Sequence, residues 1–106
     1  MTSKSPTTTA SKIQPVHPGE ILKETLTDLG ISMNRLAQAL HVPANRISGI
    51  VAGQRSITGE TALRLAQFFG TTPDYWIGIQ TQFDLETAKD KWDAKIRSEV
   101  RPREAA

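Results

Sequence analysis

Apolar residues recur at helical spacing along most of the chain, and glycine, proline and small polar residues interrupt this pattern at short intervals. The first apolar stripe follows Pro18 and stops at Gly30. Proline suits the first turn of a helix, and glycine accommodates the left-handed residue that often ends one. We therefore predict a first helix within residues 15–30. Its buried face is expected to comprise Ile21, Leu22, Leu26 and Leu29.

Two short helices joined by a sharp turn are predicted for residues 32–53. Ser32 has the hydroxyl that caps a first turn, and Pro43 disfavours helical backbone in the residue before it while suiting the start of a new helix. The first helix is thus expected to end near His41, and the second to run from Pro43 to Ala52. The inward faces would be formed by Leu36, Ala37 and Leu40, and by Ile47, Ile50 and Val51. This is the helix-turn-helix pattern of DNA-binding proteins.

The charge of this region favours DNA binding. Between Asp28 and Glu60 the chain carries three arginines and no carboxylate, so the formal charge of the interval is +3. Phosphates repel carboxylates, so a polar helix face with cationic flanks suits the major groove. The alternative is a solvated helical hairpin of some other small helical protein. The residues expected on the exposed faces of the second helix are Ala44, Asn45, Arg46, Ser48 and Gly49. In the following loop, Gln54 and Arg55 either hold a phosphate or are ordinary loop residues in solvent.

Two more helices are predicted beyond this motif. Thr58 and Thr72 each precede a helical stripe and carry the hydroxyl of a capping residue. The first of these helices is expected to span Gly59–Phe69. Its core face would comprise Ala62, Leu63, Ala66 and Phe69. The second begins at Pro73 and holds the densest group of large apolar side chains, which either completes the core or covers a second subunit. That group is Tyr75, Trp76, Ile79 and Phe83.

A last apolar stripe continues at helical spacing among charged residues of both signs; it comprises Leu85, Ala88, Trp92 and Ile96. A narrow stripe needs a surface to lie on, which is this domain, a second subunit or another protein. We therefore divide the chain into four parts. These are a disordered tail over residues 1–14, a helix-turn-helix domain over 15–80, a C-terminal helix for dimer or partner contact over 81–100, and a frayed tail over 101–106.

Composition narrows the classes of function. The net charge of +2 is too mild to indicate a nucleic-acid binder by itself. The chain lacks cysteine, a hydrophobic signal core and an apolar run of membrane-spanning length, which fits a cytoplasmic protein without membrane contact. We expect no enzymatic activity, cofactor or metal, because His17 and His41 have no constellation of carboxylates or thiols near them.

Several blocks of sequence, in order, resemble the HigA antitoxins of the Cro/phage-repressor (XRE) helix-turn-helix family. The resemblance covers roughly residues 15–94, and the ordered blocks make it more specific than the helix-turn-helix alone. The blocks are VHPGEIL at residues 16–22, VPANRIS at 42–48, Gly53, TALRLAQFFGT at 61–71, and the pair Tyr75-Trp76.

This resemblance implies an all-α fold, namely a five-helix phage-repressor-like DNA-binding domain with a C-terminal helical extension, that forms a homodimer. It implies an antitoxin of a type II toxin–antitoxin pair, which neutralises a HigB-like mRNA-cleaving toxin and represses its own operon by binding double-stranded operator DNA. Residues 43–52 would be the recognition helix, and Ser32 and Arg55 would contact the DNA backbone. A stand-alone repressor without a toxin is one alternative, and a protein-interaction module that has lost DNA binding is another.

Individual roles follow from side-chain chemistry. Asn45 is the expected base contact, because its amide matches the N6 and N7 edge of adenine. Arg46 would contact either guanine or phosphate. His41 occupies a turn position that glycine often fills in this family, and histidine tolerates a positive φ better than most residues. Gly49 stands where related proteins often carry a long polar side chain, so residue 49 has no side chain of its own to contact a base.

Overall fold

The computed structural model describes residues 14–104, which form five α-helices and contain no strand. The all-α, five-helix prediction is therefore confirmed. Residues 1–13 of the predicted N-terminal tail and residues 105–106 lie outside the described part of the chain. The helices are α1 (Pro18–Leu29), α2 (Met33–Leu40), α3 (Ala44–Val51), α4 (Gly59–Phe69) and α5 (Pro73–Glu99).

Side-chain caps begin four of the five helices. Ser32, Thr58 and Thr72 each accept a hydrogen bond from the backbone N–H three residues on, as predicted. At α1 the cap is His17, whose Nδ1 accepts the N–H of Gly19 at 2.9 Å. These bonds satisfy backbone donors that have no partner within the helix.

The turn between α2 and α3 depends on a left-handed residue. His41 has φ 59° and ψ 45°, so it takes the conformation expected at this position. Pro43 is the N-cap of α3, with ψ 146°, and not its first helical residue. The recognition helix therefore begins at Ala44, one residue later than predicted, because Pro43 still has extended backbone.

The core lies between five packed helices: α1 packs on α3 and α5, α2 packs on α3 and α4, and α4 packs on α5. It is formed by apolar side chains, and the polar residues Thr61 and Gln80 are buried beside it. Its buried members are Leu22, Leu26, Leu36, Ala37, Leu40, Ile47, Ile50, Ile57, Ala62, Leu65, Ala66 and Trp76.

Two predicted core residues are exposed. Leu29 is 57% exposed, because the chain turns at Gly30 and Ile31 packs against the core instead. Leu63 is 61% exposed, and Leu65 occupies the core in its place. The buried face of α4 contains Ala62, Leu65, Ala66 and Phe69, which follow the i, i+3, i+4, i+7 pattern that excludes residue 63.

Helix α5 is one continuous helix of 27 residues, about 40 Å long. Its first turns pack on the domain and bury Trp76 and Gln80. Beyond Asp84 every residue is exposed, including the predicted stripe of Leu85, Trp92 and Ile96. The stripe therefore has no covering surface within residues 14–104, and it does not fold back on its own domain.

A buried amide joins α5 to the loop between α3 and α4. The side chain of Gln80 is 5% exposed. Its Oε1 accepts the backbone N–H of Ile57 at 2.8 Å, and its Nε2 donates to the Asp84 carboxylate at 2.9 Å. The first bond ties the loop that follows α3 to α5, and the second, within α5, orients the Gln80 amide.

Replacing Gln80 with leucine is expected to lower the free energy of unfolding by about 1–3 kcal/mol, because it leaves the buried N–H of Ile57 without an acceptor. Urea denaturation measures the difference. The matched control is Gln82→Leu, which changes an exposed amide on the same helix. Equal stability of the two variants would contradict the structural role of Gln80.

Candidate nucleic-acid interface

The outer face of α3 is the centre of the candidate interface. The inner face is anchored by Ile47 and Ile50, which are fully buried. Ala44, Asn45 and Ser48 are exposed on the opposite side. Since the packing of its inner face fixes the orientation of the helix, the outer face presents a defined set of groups to solvent.

Helix α1 contacts the end of α3 at very short range. A Cβ atom built on Gly19 would lie 1.9 Å from the backbone oxygen of Ile50 and 3.0 Å from the Cα of Val51. Only glycine permits this approach of two backbones. The close contact sets the position of the recognition helix relative to the rest of the domain.

The predicted interface residues differ in their exposure. Arg46 and Gly49 are half-buried, and the others are exposed. The hydroxyl of Ser32 accepts the N–H of Arg35 at 3.1 Å, and the Ser48 hydroxyl donates to the carbonyl of Asn45 at 3.4 Å. The exposed members are Ser32, Ala44, Asn45, Ser48, Gln54 and Arg55.

The carboxylate of Glu60 lies beside the recognition helix, and the sequence pattern did not predict this contact. Nη1 of Arg46 is 3.3 Å from Oε1 of Glu60, and Oε2 of Glu60 is 3.1 Å from Nη2 of Arg64. The Glu60–Arg64 pair follows from helical i, i+4 spacing. The contact with Arg46 depends on the packing of α4 against α3, and no local spacing indicates it.

The same network extends to α2. Nη1 of Arg64 donates to the carbonyl of Leu40 at 2.8 Å, which satisfies an acceptor at the end of that helix. Arg46, Glu60 and Arg64 therefore connect the ends of three helices. All three side chains are partly exposed, so these ion pairs contribute little to the stability of the fold. We attribute to them the orientation of the Arg46 side chain.

The loop after α3 folds back on Gly49. The carbonyl of Gly49 accepts the N–H groups of both Gln54 and Arg55, at 2.9 and 3.1 Å. A Cβ atom at residue 49 would lie 2.8 Å from Cδ of Arg55 and 3.0 Å from its Cγ. The Arg55 side chain thus lies directly over the glycine, on the recognition helix itself.

The aromatic group of α5 divides between core and surface. Trp76 is 2% exposed, and its Nε1 donates to the Thr71 hydroxyl at 2.9 Å, so we assign it to the core of its own protomer. Tyr75 is 46% exposed. Ile79 and Phe83 are half-buried, and the Phe83 ring lies edge-on to that of His17. Trp76 is one of the four residues suggested for a dimer surface, but almost none of its side chain is accessible to a second protomer.

Neither a metal-ligating cluster nor a membrane-spanning helix is found in residues 14–104. This part of the chain has no group of three histidine, aspartate or glutamate side chains placed to hold a metal ion. None of its helices is both long and apolar enough to cross a membrane.

Comparison with known proteins decides the family. A model described as helix-turn-helix matches residues 22–76. Virulence-associated protein I of Dichelobacter nodosus is 46% identical over 88 residues, which are 81% of this chain and 82% of that protein. A solved structure from Coxiella burnetii, an addiction module antidote protein of a HigA family, is 50% identical with a TM-score of 0.83, and the match covers 86% of this chain and all of that one. The chain belongs to the HigA-like helix-turn-helix family.

A further HigA-like structure adds a ligand to the comparison. The antitoxin HigA of Pseudomonas aeruginosa, solved with the higBA promoter, is 39% identical with a TM-score of 0.81. The match covers 84% of this chain and 98% of that one. The predicted resemblance to the HigA antitoxins is thus confirmed. HigA-like proteins are DNA-binding antitoxins and regulators, and the family is not one of enzymes.

Proposed function

We propose that this HigA-like protein is the antitoxin of a type II toxin–antitoxin pair. It binds operator DNA upstream of its own operon as a homodimer, represses that operon, and neutralises a HigB-like mRNA-cleaving toxin. The observation that carries the DNA-binding part is the exposed polar face of α3, held outward by the fully buried Ile47 and Ile50. The family relationship supports the antitoxin part.

Each protomer would insert α3 into the major groove of one half-site. In a symmetric dimer the two recognition helices lie about 34 Å apart, which matches one turn of B-DNA and an inverted repeat. The amide of Asn45 then pairs with an adenine edge. Ser32 and Gln54, at the two margins of the surface, hold the phosphate backbone and fix the register.

The surfaces for protein partners lie on α5. Tyr75 with the half-buried Ile79 and Phe83 forms the patch that we assign to the dimer. The exposed segment 85–100 extends away from the domain and is available to the toxin or to the second protomer. A DNA-binding end and a protein-binding end on one chain fit a protein that links toxin level to transcription.

The basic test is retention of the operon's own upstream DNA by the purified protein at low ionic strength. Co-expression with the adjacent gene, followed by pull-down, tests the toxin partner. DNA retention without a co-purifying ribonuclease would favour the stand-alone repressor. A toxin complex without DNA retention would favour a protein-interaction module.

Replacing Asn45 with alanine is expected to weaken operator binding by about 5- to 150-fold, because it removes a bidentate base contact. Fluorescence anisotropy on operator and random duplexes measures the effect, and the slope of affinity against salt should stay unchanged, since no phosphate contact is lost. The control is Gln67→Ala, an exposed amide on α4. Equal loss on operator and random DNA would remove Asn45 as the base contact.

A further inference from the structure

We propose that Arg55 is a specificity-determining residue, which contacts a base edge from the position on α3 that Gly49 leaves empty. This rests on the proposed DNA binding, and it differs from the backbone contact that the family resemblance implies for Arg55. The recognition helix would thus obtain one of its base-contacting side chains from the following loop.

The Arg55 side chain lies against the recognition helix. Its Cδ, Cγ and Nε atoms lie 2.8, 3.0 and 3.2 Å from the point where a Cβ of residue 49 would stand. The guanidinium therefore begins at the surface of α3 and not at the outer margin of the loop. Any side chain at residue 49 would compete with it for this space.

Two polar residues of α3 neighbour Gly49 on the helix surface, because Asn45 precedes it by four residues and Arg46 by three. The Arg55 side chain, which lies over Gly49, is therefore within about one helical turn of Asn45, and it lines one depression together with Arg46. Arginine forms bidentate contacts with O6 and N7 of guanine, the commonest specific contact in the major groove. This pairing predicts a guanine next to the base contacted by Asn45.

The backbone of the loop that carries Arg55 is held in place before DNA binds. The Gly49 carbonyl accepts the N–H groups of Gln54 and Arg55, and Gly53 makes the turn with φ 79°. The bond from Ile57 to Gln80 holds the far end of the loop. With its backbone fixed at both ends, Arg55 loses less freedom on binding than an arginine in an unsupported loop.

Arg46 and Arg55 differ in their ion pairing. Arg46 is paired with Glu60, whereas no ion pair found within residues 14–104 involves Arg55. Both arginines line one depression together with Glu60. Arg46 has to give up its ion pair with Glu60 before it can contact DNA, whereas Arg55 has no such pair to break in the described part of the chain.

The test is the variant Gly49→Ala, whose methyl group displaces a flexible side chain and no backbone. Alanine also favours the helix, so the melting temperature should be at least that of the wild type. Operator affinity is nevertheless expected to fall at least about fivefold, while affinity for random duplex changes little. Arg55→Ala should lose the same discrimination, and the double variant should lose no more than Arg55→Ala alone.

Gly78→Ala is the matched control, because it is also a helical glycine and has open space around it. It should stabilise the helix without changing operator discrimination. Wild-type discrimination in Gly49→Ala would overturn the inference. So would an Arg55→Ala variant that weakens operator and random DNA equally and reduces the salt slope, because that is the signature of a phosphate contact. Failure of the wild-type protein to bind its upstream DNA would instead overturn the proposed function, and this inference with it.

Discussion

Replacing Gly19 with alanine is expected to lower the free energy of unfolding by about 3 kcal/mol or more. The new methyl group would lie 1.9 Å from the backbone oxygen of Ile50 and 2.8 Å from its carbonyl carbon. Backbone atoms cannot rotate away as a side chain can, so α1 and α3 must move apart. Separation of these helices opens the core at Leu22 and Ile50, both fully buried.

Thermal denaturation followed by circular dichroism measures this loss. A change of about 3 kcal/mol corresponds to a fall in melting temperature of about 12–24 °C for a domain of this size. The control is Gly59→Ala at the start of α4, where an added Cβ meets no atom within 4 Å. If both variants melted with the wild type, the close approach of α1 to α3 would be refuted.

Replacing Trp76 with alanine is expected to lower the free energy of unfolding by about 3–5 kcal/mol, because it removes a large buried ring from the core. The indole is 2% exposed and donates to Thr71 in the loop before α5. Loss of both contacts would release the first turns of that helix. Operator binding should fail at temperatures where the variant is unfolded.

The matched variant is Tyr75→Ala, which changes the adjacent aromatic residue on the exposed side of the same helix. Its unfolding free energy should stay within about 1 kcal/mol of the wild type, as for most surface substitutions. Sedimentation velocity at micromolar concentration should show a shift toward monomer, since Tyr75 is the most exposed member of the proposed dimer patch. A Trp76→Ala variant as stable as the wild type would contradict the core role of Trp76. A Tyr75→Ala variant with an unchanged dimer would contradict the dimer role of Tyr75.

The helix boundaries could be predicted because they depend on local chemistry. Ser32, Thr58 and Thr72 have hydroxyls that cap the next turn, and Gly30 and Gly70 have the left-handed backbone that stops a helix. Each of these signals acts within four residues. They can therefore be recognised from the sequence without knowledge of any tertiary contact.

The errors arose where tertiary packing selects between neighbouring apolar residues. Leu63 and Leu65 have identical side chains, and only the position of α4 against the rest of the domain buries the second. Leu29 lies on the correct face of α1, but Ile31 packs in its place after the turn. Periodicity predicts the existence of a stripe more securely than its end members.

Two contacts in the candidate interface also could not be predicted from the sequence. The absence of carboxylates between Asp28 and Glu60 predicted a polar helix face with cationic flanks, yet Glu60 itself lies against Arg46. Likewise the sequence shows only that residue 49 has no side chain of its own, and the structure places the Arg55 side chain over it. Both contacts join different elements, so only the packing of the helices brings them together.

Glu60 also affects how the protein would meet nucleic acids other than an operator. Its carboxylate partly neutralises Arg46 and is shared with Arg64, so the surface around α3 carries less free positive charge than its arginine count indicates. Polyanions without a matching sequence attract proteins through charge alone. Their hold on this surface is therefore expected to be weaker than on one with the same arginines and no carboxylate.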